Sequence, residues 1–241
     1  MNLPIIETHG LGKRYMIHSS ANRPIESQNQ SFITKFYNRK QEKWSLRGLS
    51  IEVMKGDIVA LVGKNGSGKT TLFRLLGEIT DPTEGEVIIR GKVTCMLEAG
   101  VGFHSELTGK ENIYLNGALL GMARKEMDSL FDRIVDFSEL QSYLNIPIKK
   151  YSSGMYVRLA FSVASFLRTD ILLLDEVLSL ADKAFRYKAF DRIKEMSEKG
   201  CTILMVSHDT NILRGLCKSA IHIENGEFIN KGTLEDVLAG Y

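Results

Sequence analysis

Gly63-Lys64-Asn65-Gly66-Ser67-Gly68-Lys69-Thr70 follows the apolar run Ile58-Val59-Ala60-Leu61-Val62 without a break. The octapeptide fits G-x-x-x-x-G-K-[ST], a pattern that gains meaning when a buried strand leads into it and a helix opens from it. Both conditions are met: the run before it is wholly apolar, and a helix is predicted from Lys69 to about Glu78. Glycines let the backbone wrap tightly, so that successive N–H groups and the positive end of the helix point at phosphates. Lys69 supplies a cation for the β and γ phosphates, and the Thr70 hydroxyl is placed for Mg²⁺. The competing reading, a glycine-rich turn without a ligand, does not account for that context.

About a hundred residues on, Ile171-Leu172-Leu173-Leu174 ends in Asp175-Glu176. A strand with no polar residue of its own thus delivers two carboxylates at its end. Asp175 is expected to orient a magnesium-bound water, and Glu176 to polarise the attacking water, an effect worth roughly 10²–10⁴ in rate. The plainer alternative is a helix cap. Upstream, Tyr151-Ser152-Ser153-Gly154-Met155 opens a predicted helix over 153–167 and makes a second anion-friendly helix start.

Outward from these motifs the chain alternates strands and helices. Residues 3–17 and 44–62 read as strand-rich, and Asp81-Pro82-Thr83-Glu84-Gly85 turns into a strand over 86–90. From Thr108 the pattern is helical, with a capping box in Thr108-Gly109-Lys110-Glu111, a second helix over 124–135 and a short third one to Leu144. Strand 171–174, helix 185–198, strand 201–206, helix 210–217 and a strand pair around Glu224-Asn225-Gly226 complete the order. The fold class expected is α/β: a P-loop NTPase core with an antiparallel β subdomain and a helical subdomain insertion. Residues 1–97 and 156–241 make the nucleotide-binding core, and 98–155 the helical subdomain. Residues 18–43 interrupt the N-terminal strands with Arg23, Lys35, Arg39, Lys40 and Lys43 around Phe32, Phe36 and Tyr37. They read either as a basic amphipathic segment or as a solvated loop.

At 241 residues and a formal charge of +2 the chain suits one large domain, and bulk electrostatics do not point to nucleic acid. Cys95, Cys201 and Cys217 form no CxxC pair and sit among apolar neighbours, so buried reduced thiols are expected. No apolar stretch approaches the ~18 residues of a membrane span, and no leader is apparent, so the chain is expected in the cytoplasm with any membrane role supplied by a partner.

Taken in order, the P-loop, the helical insertion, Tyr151–Met155, ILLLDE, Asp182 seven residues after Asp175, and Val206-Ser207-His208-Asp209 resemble the ATP-binding-cassette ATPases over almost the whole chain. The resemblance implies an ATP- and Mg²⁺-dependent hydrolase. Tyr15, in Leu11-Gly12-Lys13-Arg14-Tyr15, would stack on adenine, and Thr71 would join the loop residues Gly63 to Thr70 around the nucleotide. His208 would contact the γ-phosphate and hold Glu176. Ser152, Ser153 and Gly154 would complete the site of a second protomer in trans, and Asp182 would lie in the D-loop. A homodimer follows from this. The stretches Glu98–His104 with Glu106–Ile113, and Tyr151–Phe161, are similar to ATPases of the bacterial O-antigen, capsule and teichoic-acid exporters. That branch implies two integral-membrane permease subunits, a lipid-linked polysaccharide as indirect substrate, and a position on the cytoplasmic face of the inner membrane. Residues 100–112 and 18–43 would face the permease or the lipid.

Several departures stand out. The Q-loop glutamine is missing, and Glu98 is the nearest candidate for its metal-sensing role. Val177-Leu178 replace the usual Pro-Thr. The chain stops at Tyr241 without a carbohydrate-binding domain, so it is not expected to recognise a glycan cap. Two other readings remain open: a soluble cassette ATPase that regulates or remodels a macromolecule, and a P-loop kinase, which needs neither the signature nor His208.

Overall fold

A computed structural model describes residues 3–18, 40–96 and 102–240. Glu98 and most of the 18–43 insert, including Phe32, Phe36 and Tyr37, lie outside the described residues. In chain order the elements are β1 (Ile6–His18), β2 (Lys40–Leu49), β3 (Glu52–Val53), β4 (Ile58–Val62), α1 (Lys69–Leu76), β5 (Glu84–Ile89), β6 (Val93–Met96), α2 (Gly109–Leu119), α3 (Arg124–Ser138), α4 (Ser153–Phe166), β7 (Ile171–Asp175), α5 (Lys183–Glu198), β8 (Thr202–Val206), α6 (Thr210–Leu216), β9 (Ser219–Glu224), β10 (Glu227–Thr233) and α7 (Leu234–Ala239).

Two sheets result. β2, β1, β3 and β5 form an antiparallel sheet, with both β3 and β5 paired to β1. The larger sheet runs β10-β9-β4-β8-β7-β6, parallel throughout except for the antiparallel edge strand β10. Its central strands are apolar on both faces because both faces are covered. Ile171 and Leu173 of β7, Val59 and Leu61 of β4, and Leu204 and Val206 of β8 pack with α1 and the antiparallel sheet. Their alternates Leu172, Leu174, Ala60, Val62, Ile203 and Met205 pack with α4, α5, α6 and α7. Burying one such leucine contributes about 1.5–3 kcal/mol, so the two-sided pattern anchors β7 and fixes the place of the carboxylates at its end. A third apolar cluster joins Ile113 of α2, Met127 and Ile134 of α3, and Leu159 and Val163 of α4.

The register fixes where the chain leaves this sheet. Ala60 and Leu174 both pair with Met205, and Asp175 pairs with Val206. The loop after β4, the carboxylates after β7 and the link after β8 therefore emerge side by side at the carboxyl edge, where open α/β sheets bind ligands.

Most expected elements are present, with instructive differences. β6 was not anticipated: four residues at a sheet edge are too few to show a period, and only pairing of Val93–Met96 with Ile171–Leu174 makes them a strand. β2 begins at Lys40, so residues 40–43 of the polar insert are strand, paired with β1 from His18 to Tyr15. α1 stops at Leu76, two residues short of the expected end, because Gly77 caps it and Glu78 takes a left-handed φ of 55°. α3 runs on to Ser138, and the expected short third helix is a single 3-10 turn over Gln141–Tyr143. α5 starts at Lys183 rather than Phe185, since the Asp182 side chain caps it by accepting from the Phe185 N–H. The capping box at Thr108 is formed as expected, with Thr108 and Glu111 each bonded to the other's backbone N–H. α7, only six residues long, was not anticipated, although Thr233-Leu234-Glu235-Asp236 carries a helix-start signal and the Thr233 hydroxyl accepts from the Asp236 N–H.

Candidate nucleotide site

The loop after β4 takes a path that side chains would obstruct. Gly63, Gly66 and Gly68 have φ of 151°, 80° and 108°, and a Cβ on Gly63 would lie 2.1 Å from the Ile223 carbonyl oxygen. α1 opens directly from Gly68 with no side-chain cap and no acidic residue in its first turn. Its leading N–H groups and the positive end of its dipole are thus left for an external anion. The Lys69 ammonium curls back over the loop, donating to the Gly63 carbonyl at 2.6 Å and the Lys64 carbonyl at 3.0 Å. Burial pushes the Lys69 pKa down, while the charges of Asp175 and Glu176 push it back up. The buried Ser67 hydroxyl has no hydrogen-bond partner among the described residues. A phosphate chain would satisfy these donors together.

The β9–β10 turn and β2 brace the loop from outside. The Gly226 N–H donates to the Ser67 carbonyl at 3.0 Å, the Arg47 N–H to the Gly226 carbonyl at 2.8 Å, and the Ser45 and Thr71 hydroxyls meet at 2.7 Å. The sequence reading missed Ser45 and Gly226. Gly226 carried only a hairpin signal, and Ser45 carried none.

The fold brings Thr70 and Asp175 together: the Thr70 hydroxyl donates to Asp175 Oδ2 at 2.9 Å. Both are hard oxygen donors beside the bare helix start, which suits Mg²⁺, an ion commonly held by one or two protein oxygens plus substrate phosphates. Burial raises the Asp175 pKa, partly offset by the Thr70 hydrogen bond and by Lys69, His208 and Arg74. A group with a raised folded-state pKa stabilises the fold below its unfolded pKa and loses that contribution as pH rises through the folded one. Ionised Asp175 is therefore a cost to the nucleotide-free protein at neutral pH. Asp175→Asn is expected to raise the melting temperature at pH 7.5 while abolishing Mg²⁺-dependent hydrolysis, with the gain shrinking toward pH ~4. Thermal scans across pH check this; a lowered melting temperature at pH 7.5 contradicts it.

Glu176 has a left-handed φ of 48°, unusual for a residue with a side chain. It stands before a 3-10 turn over Val177–Leu180 but makes no side-chain capping bond, so the plain helix-cap reading does not describe it. Strain of this kind, about 1–3 kcal/mol, clusters at functional sites. Its Oε1 lies 2.7 Å from His208 Nε2, off the direction of a hydrogen bond, and has no other partner among the described residues. The His208 side chain is 60% exposed, so it is not a core histidine.

The remaining expected residues lie elsewhere on the surface. Tyr15 is half-buried on β1, with the Lys13 ammonium 5.5 Å from its ring. It pairs with Lys43, two residues before Ser45, and so stands near the loop's outer brace. Ser152 caps α4 by accepting from the Met155 N–H at 3.2 Å, and Ser152 and Ser153 are exposed. Among the described residues neither they nor Gly154 bond to the P-loop, Asp175, Glu176 or His208. Asp182 caps α5 at 3.0 Å, and that bond holds its carboxyl below the usual range. The cysteines are free thiols, with Cys201 and Cys217 buried; burial pushes Cys201 up to about 11 and Cys95 and Cys217 to about 12.

A three-layer α/β core, a P-loop braced against Asp175, and a His–Glu contact on the next strand end define a nucleotide-binding cassette. The family model described as ABC transporter matches residues 46–179, and the chain belongs to that family. An O-antigen export system ATP-binding protein, RfbB of Klebsiella pneumoniae, is 40% identical over 99% of this chain and 97% of its own length. The teichoic acids export ATP-binding protein TagH of Staphylococcus saprophyticus is 37% identical over 100% of this chain and 89% of its own. Among solved structures, an ATP-binding subunit of an ABC transporter superposes with a TM-score of 0.79 at 22% identity, covering 98% of this chain and 92% of that one. A dimeric cassette bound to ADP and Pi gives 0.74 at 21%, covering 95% and 98%.

Proposed function

We propose that this chain is the ATP-hydrolysing subunit of a transporter that exports a lipid-linked polysaccharide across the cytoplasmic membrane. The observation that carries the reading is near full-length similarity to O-antigen and teichoic-acid export proteins in a chain whose P-loop, Asp175, Glu176 and His208 converge on one sheet edge. Two copies work with two permease subunits at the inner face of the membrane. Among the described residues no helix is long and apolar enough to cross a membrane. A route for the polymer must then come from partners.

In this reading Gly63 to Thr71 hold the triphosphate, with Lys69 on the β and γ phosphates and Tyr15 against the base. Thr70 and Asp175 would hold Mg²⁺, which would supply positive charge against the phosphates; Glu98 is a further candidate ligand outside the described residues. Glu176 takes a proton from the attacking water, and His208 keeps its carboxylate aimed. Water attacks the γ-phosphorus, the bond to the bridging oxygen breaks, and ADP and phosphate leave. Closure on ATP and reopening after hydrolysis move the permease subunits between two states.

A second protomer is needed because each chain has two phosphate-facing helix starts, at Lys69 and Ser153, which do not meet within the chain. Glu176→Gln protein is expected to be a dimer in Mg·ATP and a monomer without it, measured by light scattering. A monomer under both conditions contradicts a composite site.

A further inference from the structure

Arg158 lies on α4, five residues after Ser153, with a side chain only 19% exposed. Its guanidinium serves three acceptors on two other elements. Nη1 reaches Asp182 Oδ2 at 3.3 Å, Nε donates to the Ser138 carbonyl at 3.0 Å, and Nη2 pairs closely with the Glu139 carboxylate. Its cationic centre also sits 5.3 Å from the ring of Phe185, whose N–H is capped by Asp182. On the far side Lys188 of α5 closes the ring, donating to Glu139 Oε1 and the Phe137 carbonyl, each at 3.0 Å. Glu139 takes a left-handed φ of 56° at the end of α3, where cations favour the helix carbonyls.

The two ends of this arrangement matter. α4 begins with Ser152, Ser153 and Gly154. The segment 177–182 runs from Glu176 to Asp182, and its Leu180 carbonyl passes 3.4 Å from where a Cβ on Gly154 would be. The start of α4 and the segment that leaves Glu176 are therefore neighbours, and Arg158 is the cation that joins their supporting frames.

We propose that Arg158 is a positioning residue: through Asp182 it holds the 177–182 segment in register with the signature start, so that one protomer presents both to its partner's nucleotide as a single unit. This rests on the composite-site reading above. A planar guanidinium can serve three acceptors in fixed directions, which an ammonium cannot, so Arg158→Lys should restore little. Asp182→Asn keeps a good helix cap while removing the charge that Arg158 meets.

The test measures ATP affinity, kcat, KM and ATP-dependent dimerisation for Arg158→Met, Arg158→Lys, Asp182→Asn, Glu139→Gln and the Arg158→Met/Asp182→Asn pair, with dimerisation read in the Glu176→Gln background. Expected for Arg158→Met and Asp182→Asn are monomer ATP affinity within about twofold of wild type, kcat lowered about tenfold, and dimerisation weakened by a similar factor. The double variant should be no worse than the worse single, because both remove one contact. Three outcomes overturn the proposal: full activity of Arg158→Met, additive losses in the pair, or a loss reproduced by Glu139→Gln and not by Asp182→Asn. If the Glu176→Gln parent fails to dimerise, the composite-site reading falls and takes the proposal with it. A dimerising parent with unaffected Arg158 variants overturns the proposal alone.

Discussion

Glu176→Gln is expected to lower kcat about 10²-fold or more while ATP affinity stays within a few-fold of wild type. The substitution keeps the shape of the side chain and its position beside His208 but removes the group proposed to accept the water's proton. Lys69, Thr70 and Asp175 are untouched, so the residues proposed to hold the triphosphate and its metal all remain. The left-handed φ at this position constrains the backbone and not the charge, and Gln meets the same constraint as Glu. Nucleotide binding by equilibrium dialysis and single-turnover hydrolysis separate the two effects. Hydrolysis close to wild type would remove Glu176 as the base.

The P-loop and the strand carrying Asp175 were legible because each couples a local motif to a short apolar run, Ile58–Val62 and Ile171–Leu174, of the length that suits a strand buried on both faces. The Thr70–Asp175 contact needed the fold, since 105 residues separate the partners and only the shared sheet edge brings them to 2.9 Å. β6 was hidden for a related reason: its pairing with β7 is set by tertiary register, and Val93–Met96 alone carry no period. Arg158 was quoted in the sequence only as part of a motif. Its acceptors come from the ends of α3 and the start of α5, none predictable from helical spacing on α4. Ser45 is a further case, a strand serine that gains meaning only against Thr71.

Lys69→Ala has the widest expected consequence. The ammonium is the cation proposed to meet the β and γ phosphates, and removing one preorganised donor of this kind costs about 10²–10³ in rate. Folding should survive, because burial already disfavours the Lys69 charge and the two carbonyls it serves belong to a loop also held by Gly226. The variant should therefore be a folded protein that binds ATP weakly and hydrolyses it at least about 10²-fold more slowly. Circular dichroism and steady-state hydrolysis check the pair of statements; loss of the folded signal would shift the explanation from chemistry to stability.

The same substitution tests the export function in the cell. In a strain whose only copy carries Lys69→Ala, surface polysaccharide is measured by antibody or lectin binding to intact cells, and lipid-linked polymer by extraction. Bare cells with finished, lipid-linked polymer retained inside are expected, since the proposed function gives this chain a part in export and none in synthesis. Normal surface polysaccharide in that strain would contradict the account and favour a soluble remodelling role.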